Sequence, residues 1–340
     1  MRILHLLASP VFSGPAENVA WLADGQRALG HTVRVAIDRK RGGLGSEEAA
    51  LPRLRDLGLL DEDSKLALSP KSDLWTITRD VARLKKQEVE VVHSHFTHDH
   101  FIARFGRPKG AVLVRSIHAP RSLRRSLPKA DAYTLPPGVS SPFLEGKRCL
   151  PLGPVLDPSF VPAREPAALR QELGFLGAPL VGMVSTFQAS RRHALALDAF
   201  ARLHALRPDA RLLLVGDGAL ESELRARVRR AGLGPWVTFT GYRKGRDYVR
   251  LVQALDQLWV LGLGNDWSAR PAAQGRACGV AVVGVAEGAL PTLADLIVAP
   301  EPALLAEAAA NLTRREIPLP GRIELAEQVV SLYRELGAKG

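Results

Sequence analysis

Residues 180–215 read LVGMVSTFQASRRHALALDAFARLHALRPDARLLLV, and the fold follows from this stretch. Leu180–Val184 and Arg211–Val215 are short, nearly continuous apolar runs, the pattern of strands buried on both faces. Between them, Arg192–Leu206 carries apolar residues at helical spacing, and Pro208 closes it. A strand, a helix and a second strand in that order argue for a parallel sheet with helices on its faces.

The pattern extends in both directions. Downstream, Leu220–Ala231 reads as a helix ended by Gly232, and Trp236–Thr240, Gln257–Leu261 and Val280–Val283 read as strands. Arg322–Leu336 is a last helix with Leu325, Val329, Leu332 and Leu336 on one face. Upstream, Arg2–Ala8, Thr32–Ile37, Val89–His95, Ala111–His118 and Ala132–Leu135 read as strands, with helices at Ala16–Leu29 and Asp73–Lys86. Proline and glycine crowd Leu150 to Pro166, which marks a boundary. The expected fold class is therefore α/β: two doubly wound, Rossmann-like domains with ligands bound at strand carboxyl ends facing a central cleft. The domains are expected at 1–160 and 161–320, with a C-terminal helix in 321–340 packing back toward the first.

Composition sets outer limits. A length of 340 residues suits two domains of about 150 residues, and 46% hydrophobic content supplies two cores. No apolar run approaches the roughly 20 residues of a membrane span, and the first residues read as a buried strand rather than a signal peptide. Two cysteines, Cys149 and Cys278, make no disulfide framework and fit a reducing cytoplasm. The net charge of +11 favours anionic partners, a nucleoside diphosphate or an anionic lipid surface, against the plainer reading of solvated, arginine-rich helix faces. Nucleic acid is not expected, because the basic clusters lack interleaved aromatics and no nucleic-acid-binding signature is present.

Several strand-to-helix loops can carry chemistry. Pro10–Asn18 follows the first strand and opens the first helix, where free N–H groups favour an anion and Gly14 admits a close approach. Its glycine pattern is not that of a dinucleotide fingerprint. His93-Ser94-His95-Phe96-Thr97-His98-Asp99-His100 holds four of the nine histidines, and strand alternation places His93 and His95 on one face. A metal there is conceivable, but no carboxylate or cysteine completes a ligand set, and a polar strand-end loop is the expected reading. His118 also ends a strand, as a ligand-facing or a structural histidine. Arg191 and Arg192 oppose the dipole of the helix they begin unless an anion joins them. Gly262–Gln274 is a glycine-rich turn into a helix with Pro271 in its first turn. Asp266, Ser268 and the N–H groups around Arg270 can bind hydroxyls and phosphate, or Asp266 or Ser268 simply caps the helix.

Taken in order, these motifs resemble retaining glycosyltransferases of family 4, which have the GT-B fold. The resemblance rests on Val181-Gly182-Met183-Val184, Arg191-Arg192-His193 leading into Leu197-Asp198-Ala199-Phe200, and Leu213-Leu214-Val215-Gly216-Asp217-Gly218. Val237-Thr238-Phe239-Thr240-Gly241 and Ala277-Cys278-Gly279-Val280-Ala281-Val282-Val283 continue it. Gly30-His31-Thr32-Val33, Val91-Val92-His93-Ser94-His95 and Leu150-Pro151-Leu152-Gly153 carry it through the first half. The resemblance implies that Arg191 or Arg192 contacts the donor diphosphate and that Ser13-Gly14 approaches it. It implies that His118 lines the sugar site, and that Asp266 and Gln274 stand where the family has two acids separated by seven residues, holding donor sugar and ribose. Two departures stand out: Thr186 lies near the place of a frequent arginine, and Gln274 lacks the acid's charge.

The function implied is transfer of a hexose from a nucleotide-diphosphate sugar to a glycan or lipid-linked acceptor, with retention, as in polysaccharide biosynthesis. His118 and Asp266 would serve catalysis; Ser13, Gly14, Arg191, Arg192, Ser268, Arg270 and Gln274 would hold the nucleotide sugar. Neither a metal nor another cofactor is expected, and the protein would be cytoplasmic, at the inner face of a membrane where the acceptor is lipid-linked. The alternative is a non-catalytic, glycosyltransferase-like binding or scaffold protein, motivated by Gln274 and Thr186. A sugar-nucleotide epimerase is a third reading.

Overall fold

The computed structural model describes residues 1–12, 14–39, 49–119, 122–123, 129–264, 266–312 and 318–339. The chain forms two compact units, Met1–Asp157 with Pro320–Gly340, and Pro158–Leu319.

The first unit runs β1 (Arg2–Leu7), α1 (Gly14–Ala28), β2 (Thr32–Ile37), α2 (Ala50–Asp56), α3 (Leu74–Lys85), β3 (Val91–Ser94), α4 (Thr97–Gly106), β4 (Val112–Ser116), β5 (Ala132–Leu135) and β6 (Cys149–Pro151). All strands are parallel, in the order β2-β1-β3-β4-β5-β6. Winding turns one way from β1 to β2 and the other way from β3 onward, so the switch point lies between β1 and β3. Ile3, Leu4, Leu6 and Leu7 are buried on both faces of the sheet, which is why β1 reads as an unbroken apolar run. Asp73 begins α3 by accepting the Thr76 N–H at 2.6 Å.

The second unit runs α5 (Pro166–Glu172), β7 (Leu180–Val184), α6 (His193–Leu206), β8 (Arg211–Val215), α7 (Glu221–Arg230), β9 (Val237–Gly241), α8 (Gly245–Gln253), β10 (Gln257–Val260), α9 (Arg270–Ala277), β11 (Ala281–Gly284), α10 (Leu290–Leu293), β12 (Leu296–Ile297) and α11 (Pro302–Ala310). Its parallel sheet has the order β12-β11-β10-β7-β8-β9, with the switch point between β7 and β10. The last helix, α12 (Arg322–Glu335), lies against α1 of the first unit. Gly25 allows the approach: a Cβ there would stand 2.9 Å from the Ala326 Cβ. Among the described residues, no helix is long and apolar enough to cross a membrane.

Some elements differ from the sequence reading. β6 falls in the stretch taken as a boundary; it is an edge strand, where Pro151 interrupts no further ladder. β3 and β4 end earlier than expected, leaving His95 and His118 beyond the strand ends. α6 begins at His193, not Arg192, which takes a left-handed conformation with φ 59°. Half of the basic run Arg225–Arg230 is paired on the helix face: Arg225 bonds Glu221 at 2.9 Å and Arg227 bonds Asp198 at 2.6 Å.

Candidate functional site

In the second unit, the carboxyl ends of β7 and β10 flank the switch point, and the chain crosses closely there. The turn Ala189–Arg191 after β7 lies on Gly262 after β10, where a Cβ would meet the Ser190 carbonyl oxygen at 2.0 Å. Only glycine permits this contact. The Arg191 Nη1 donates to the Gly262 carbonyl at 3.0 Å, and its guanidinium runs over Gly264. Its Nε is buried with no hydrogen-bond partner among the described residues. Burial depresses the Arg191 pKa against the pull of Asp266, with Arg270 adding like charge. A cation this desolvated, with an unused donor, is suited to an anion.

Arg192 has another role. It donates to the Leu261 carbonyl and forms an ion pair with Glu287 at 2.6 Å. Glu287 also accepts the Leu263 N–H at 3.0 Å. The two arginines are therefore not an equivalent pair awaiting an anion: Arg191 retains an unused donor, whereas Arg192 is neutralised and fastens the loop. Neither lies inside the helix, since the left-handed residue at 192 separates the turn from α6.

Asp266 caps no helix. Its Oδ1 accepts from the Ser268 N–H at 3.1 Å and from the Ser268 hydroxyl at 2.6 Å, closing a tight local turn. α9 begins after Ala269, which has φ 53° and no side-chain cap. The plain N-cap reading of Asp266 and Ser268 is thus corrected, and Asp266 Oδ2 is not used by that turn. Arg270 opens α9 itself. Gln274 is 1% exposed, and its Oε1 accepts from the Tyr248 hydroxyl at 2.5 Å while its Nε2 is buried without a partner among the described residues. The expected acceptor is already engaged, so Gln274 offers a ligand a donor instead. His193 contacts the Ser185 hydroxyl at 3.2 Å, and burial, then the Arg191 charge, lowers its pKa to about 4.

In the first unit, Gly14 opens α1 and is half-buried. Ser13 lies outside the described residues. His118 is half-buried and contacts His95 through its Nε2 at 3.3 Å. Behind it stand His95, His5 and His93, all buried, with ring centroids 4.5 to 5.2 Å apart. His5 comes from β1 and lies in register with His93 on β3. Asp99 fixes the neighbouring chain by accepting N–H groups from Ala8 at 2.9 Å, His95 at 3.1 Å and Phe96 at 2.8 Å.

His5, His93 and His95 are near enough to suggest a metal site. Their planes, however, lie within 30° of one another. A lone pair lies in its ring plane, and His93 is stacked on the other two rings, so the three do not converge on one ion. Their nitrogens are spent instead on hydrogen bonds to Gln26, Tyr333, Ser116 and each other.

Burial drives the His5 pKa down to about 4 and holds His93 and His95 well below the usual histidine range. Between pH 6.5 and 4 the unfolded chain therefore binds more protons at these sites, and folding stability falls on acidification. Asp99 works the other way, because burial raises it to about 7 and the folded state takes up its proton first. With His193 added, four histidines outweigh one carboxyl. A denaturation midpoint clearly lower at pH 5 than at pH 7.5 is expected; an unchanged midpoint would refute the neutral cluster.

Sequence reading missed His5, Gln26, Tyr333, Tyr248 and Glu287. His5 is visible only once β1 and β3 are known neighbours, and Tyr333 arrives from a helix 240 positions beyond His93.

A glycosyl transferase 4-like domain model matches residues 13–145, and a model of glycosyl transferases group 1 matches residues 178–315. No curated protein matches the sequence. Among solved structures, HepE of Anabaena in complex with UDP-glucose superposes with a TM-score of 0.72 at 17% identity, covering 98% of this chain and 100% of that one. Sucrose-phosphate synthase of Thermosynechococcus elongatus gives 0.68 at 19% identity over 99% of both chains. AviGT4, a glycosyltransferase involved in avilamycin A biosynthesis, gives 0.62 at 19% identity over 100% and 99%. The fold is thus of the GT-B type, with two Rossmann-like domains. Because the two domain models fall in order on its two halves, the chain belongs among the glycosyltransferases, a 4-like domain followed by a group 1 domain.

Proposed function

We propose that this glycosyltransferase moves a hexose from a nucleoside-diphosphate sugar to a glycan or lipid-linked acceptor with retention of configuration. The observation that carries this reading is the half-buried Arg191 guanidinium, with its buried and unused Nε, at the β7/β10 switch point beside Gly262 and Gly264. The UDP-glucose bound by HepE makes a uridine diphosphate sugar the first donor to try.

In this reading Arg191 meets the diphosphate and stabilises it as it leaves. Backbone N–H groups at Ser13-Gly14 are expected to join it, and Ser268 and Arg270 to support the same anion. Asp266 accepts from a sugar hydroxyl, and His118 orients the sugar. No metal is invoked, because neutralisation falls to the arginine and backbone donors, and no protein nucleophile is needed if the leaving diphosphate helps deprotonate the acceptor. Catalysis is then mainly positioning and charge stabilisation. A lipid-linked acceptor would bring the basic protein to the cytoplasmic face of a membrane; equal co-sedimentation with anionic and neutral vesicles would remove that part.

Gln274 favours a second reading, a binding protein without turnover. With Oε1 held by Tyr248, the side chain lacks an acidic partner for ribose hydroxyls, a loss on the order of 1 kcal/mol. A thermal-shift screen of nucleoside diphosphates and nucleotide sugars, followed by transfer assays, separates the two. A selective shift with turnover supports transfer, and a shift without turnover on a broad acceptor panel supports the scaffold. No shift with any nucleotide would sink both.

A further inference from the structure

We propose that Gln26 sets the proton position on His118 through a buried hydrogen-bonded chain, so that His118 carries its proton on Nε2 and presents Nδ1 as an acceptor. The chain runs from His118 to His95 at 3.3 Å, His95 to His5 at 2.9 Å, and His5 to the Gln26 Oε1 at 2.8 Å. Beyond Gln26 it continues from Nε2 to the Tyr333 hydroxyl at 3.2 Å, then to His93 Nδ1 at 2.6 Å. His93 Nε2 reaches the Ser116 hydroxyl at 2.8 Å, which reaches Thr134 at 2.8 Å. Every member behind His118 is at most 5% exposed, so water does not compete for these groups.

A neutral imidazole has one donor and one acceptor, so fixing one bond fixes the rest. The Gln26 amide fixes them, because its Oε1 can only accept and its Nε2 can only donate. Its N–H goes to the Tyr333 hydroxyl, whose own proton then goes to His93 Nδ1 at 2.6 Å, and its Oε1 faces His5 Nε2. His5 therefore donates from Nε2 and accepts at Nδ1, His95 donates to it from Nε2, and His118 donates to His95 from Nε2. On the other side, His93 donates from Nε2 to Ser116, whose hydroxyl passes to Thr134. The amide is thus the element that orders both arms: its carbonyl receives one and its N–H starts the other. Reversing it would reverse every donor together.

The consequence rests on the proposed function, in which His118 faces the donor sugar. A neutral ring offering Nδ1 as acceptor welcomes a sugar hydroxyl that donates. It disfavours a carboxylate or phosphate oxygen, which has no proton to give. His118 is then a selector for unmodified hydroxyl groups, accepting at Nδ1 rather than donating there.

The test is the tautomer of each ring, read in the full chain without ligand by long-range proton–nitrogen correlation after histidine-selective nitrogen-15 labelling. His118, His95, His5 and His93 are all expected as Nε2–H forms in the wild type. Gln26→Met removes the acceptor, and His118 is expected to pass from one form to a mixture. Gln26→Glu is nearly isosteric and accepts from both neighbours; His93 alone is expected to move its proton to Nδ1, while His5, His95 and His118 stay. A wild-type His118 protonated on Nδ1, a single unchanged form in Gln26→Met, or an unmoved His93 in Gln26→Glu would overturn the proposal. These tautomers are read without nucleotide, so their failure is distinct from failure of the donor reading, which the thermal-shift screen reports.

Discussion

Arg191→Ala is expected to weaken uridine diphosphate binding about 10- to 100-fold, with a change in folding stability of no more than about 1 kcal/mol. A hydrogen bond to a charged group contributes about 1.5–3 kcal/mol, and each 1.4 kcal/mol is tenfold in affinity. Arg191 is the side chain for which this estimate applies in full, since its Nε is buried without a partner and its Nη1 is already oriented by the Gly262 carbonyl. Little reorganisation is then needed when the anion arrives. Stability changes little because the residue lies in a turn, outside the core, and its removal relieves a desolvated charge. Arg192→Ala supplies the contrast. Its charge is met by Glu287, so binding is expected to fall less than about threefold, while the loop it fastens loosens. Calorimetric titration of both variants at one salt concentration decides the matter. Equal losses in both would mean that the arginines act as a pair after all, and no loss in Arg191→Ala would remove the diphosphate from this turn.

That contrast marks how far the sequence can be read. The alternation of β7, α6 and β8 is legible because buried parallel strands are continuous apolar runs and the helix has its own period. The position of Arg191 and Arg192 after β7 is legible too. Their different roles are not, because they depend on Glu287, which reaches this loop only when β11 takes its place beside β10. Gln274 is a similar case. Its missing charge is plain in the sequence, but its engaged carbonyl depends on Tyr248 from α8. His118 shows the same limit from the first unit. A strand-end histidine is visible, while the chain behind it joins β1, β3, α1 and α12, elements that no local pattern links. β6 was hidden for a different reason: prolines and glycines that signal a boundary are also tolerated in an edge strand.

Gly262→Ala is expected to cost about 1–3 kcal/mol of stability in the second unit and to lower nucleotide affinity at least as much as Arg191→Ala. The added Cβ would stand 2.0 Å from the Ser190 carbonyl oxygen, a backbone atom that no rotamer change can move aside. Either β10 or the Ala189–Arg191 turn must shift, and overpacking of this kind carries a cost of that size. The turn is held less firmly: it is a single short 3-10 turn, whereas β10 pairs with both β7 and β11. The turn should therefore yield and carry Arg191 away from the Gly262 carbonyl that orients it. Affinity and stability fall together here, whereas Arg191→Ala lowers affinity alone. Gly234→Ala is the control, because an added Cβ meets nothing within 4 Å and the residue is not among the positive-φ glycines. Its stability should be unchanged or slightly higher, as expected where alanine fits and the unfolded chain loses freedom. Denaturant midpoints and nucleotide titrations on the two variants separate the outcomes. A Gly262→Ala protein as stable as wild type, with undiminished nucleotide affinity, would mean that the close crossing of β7 and β10 does not build the site.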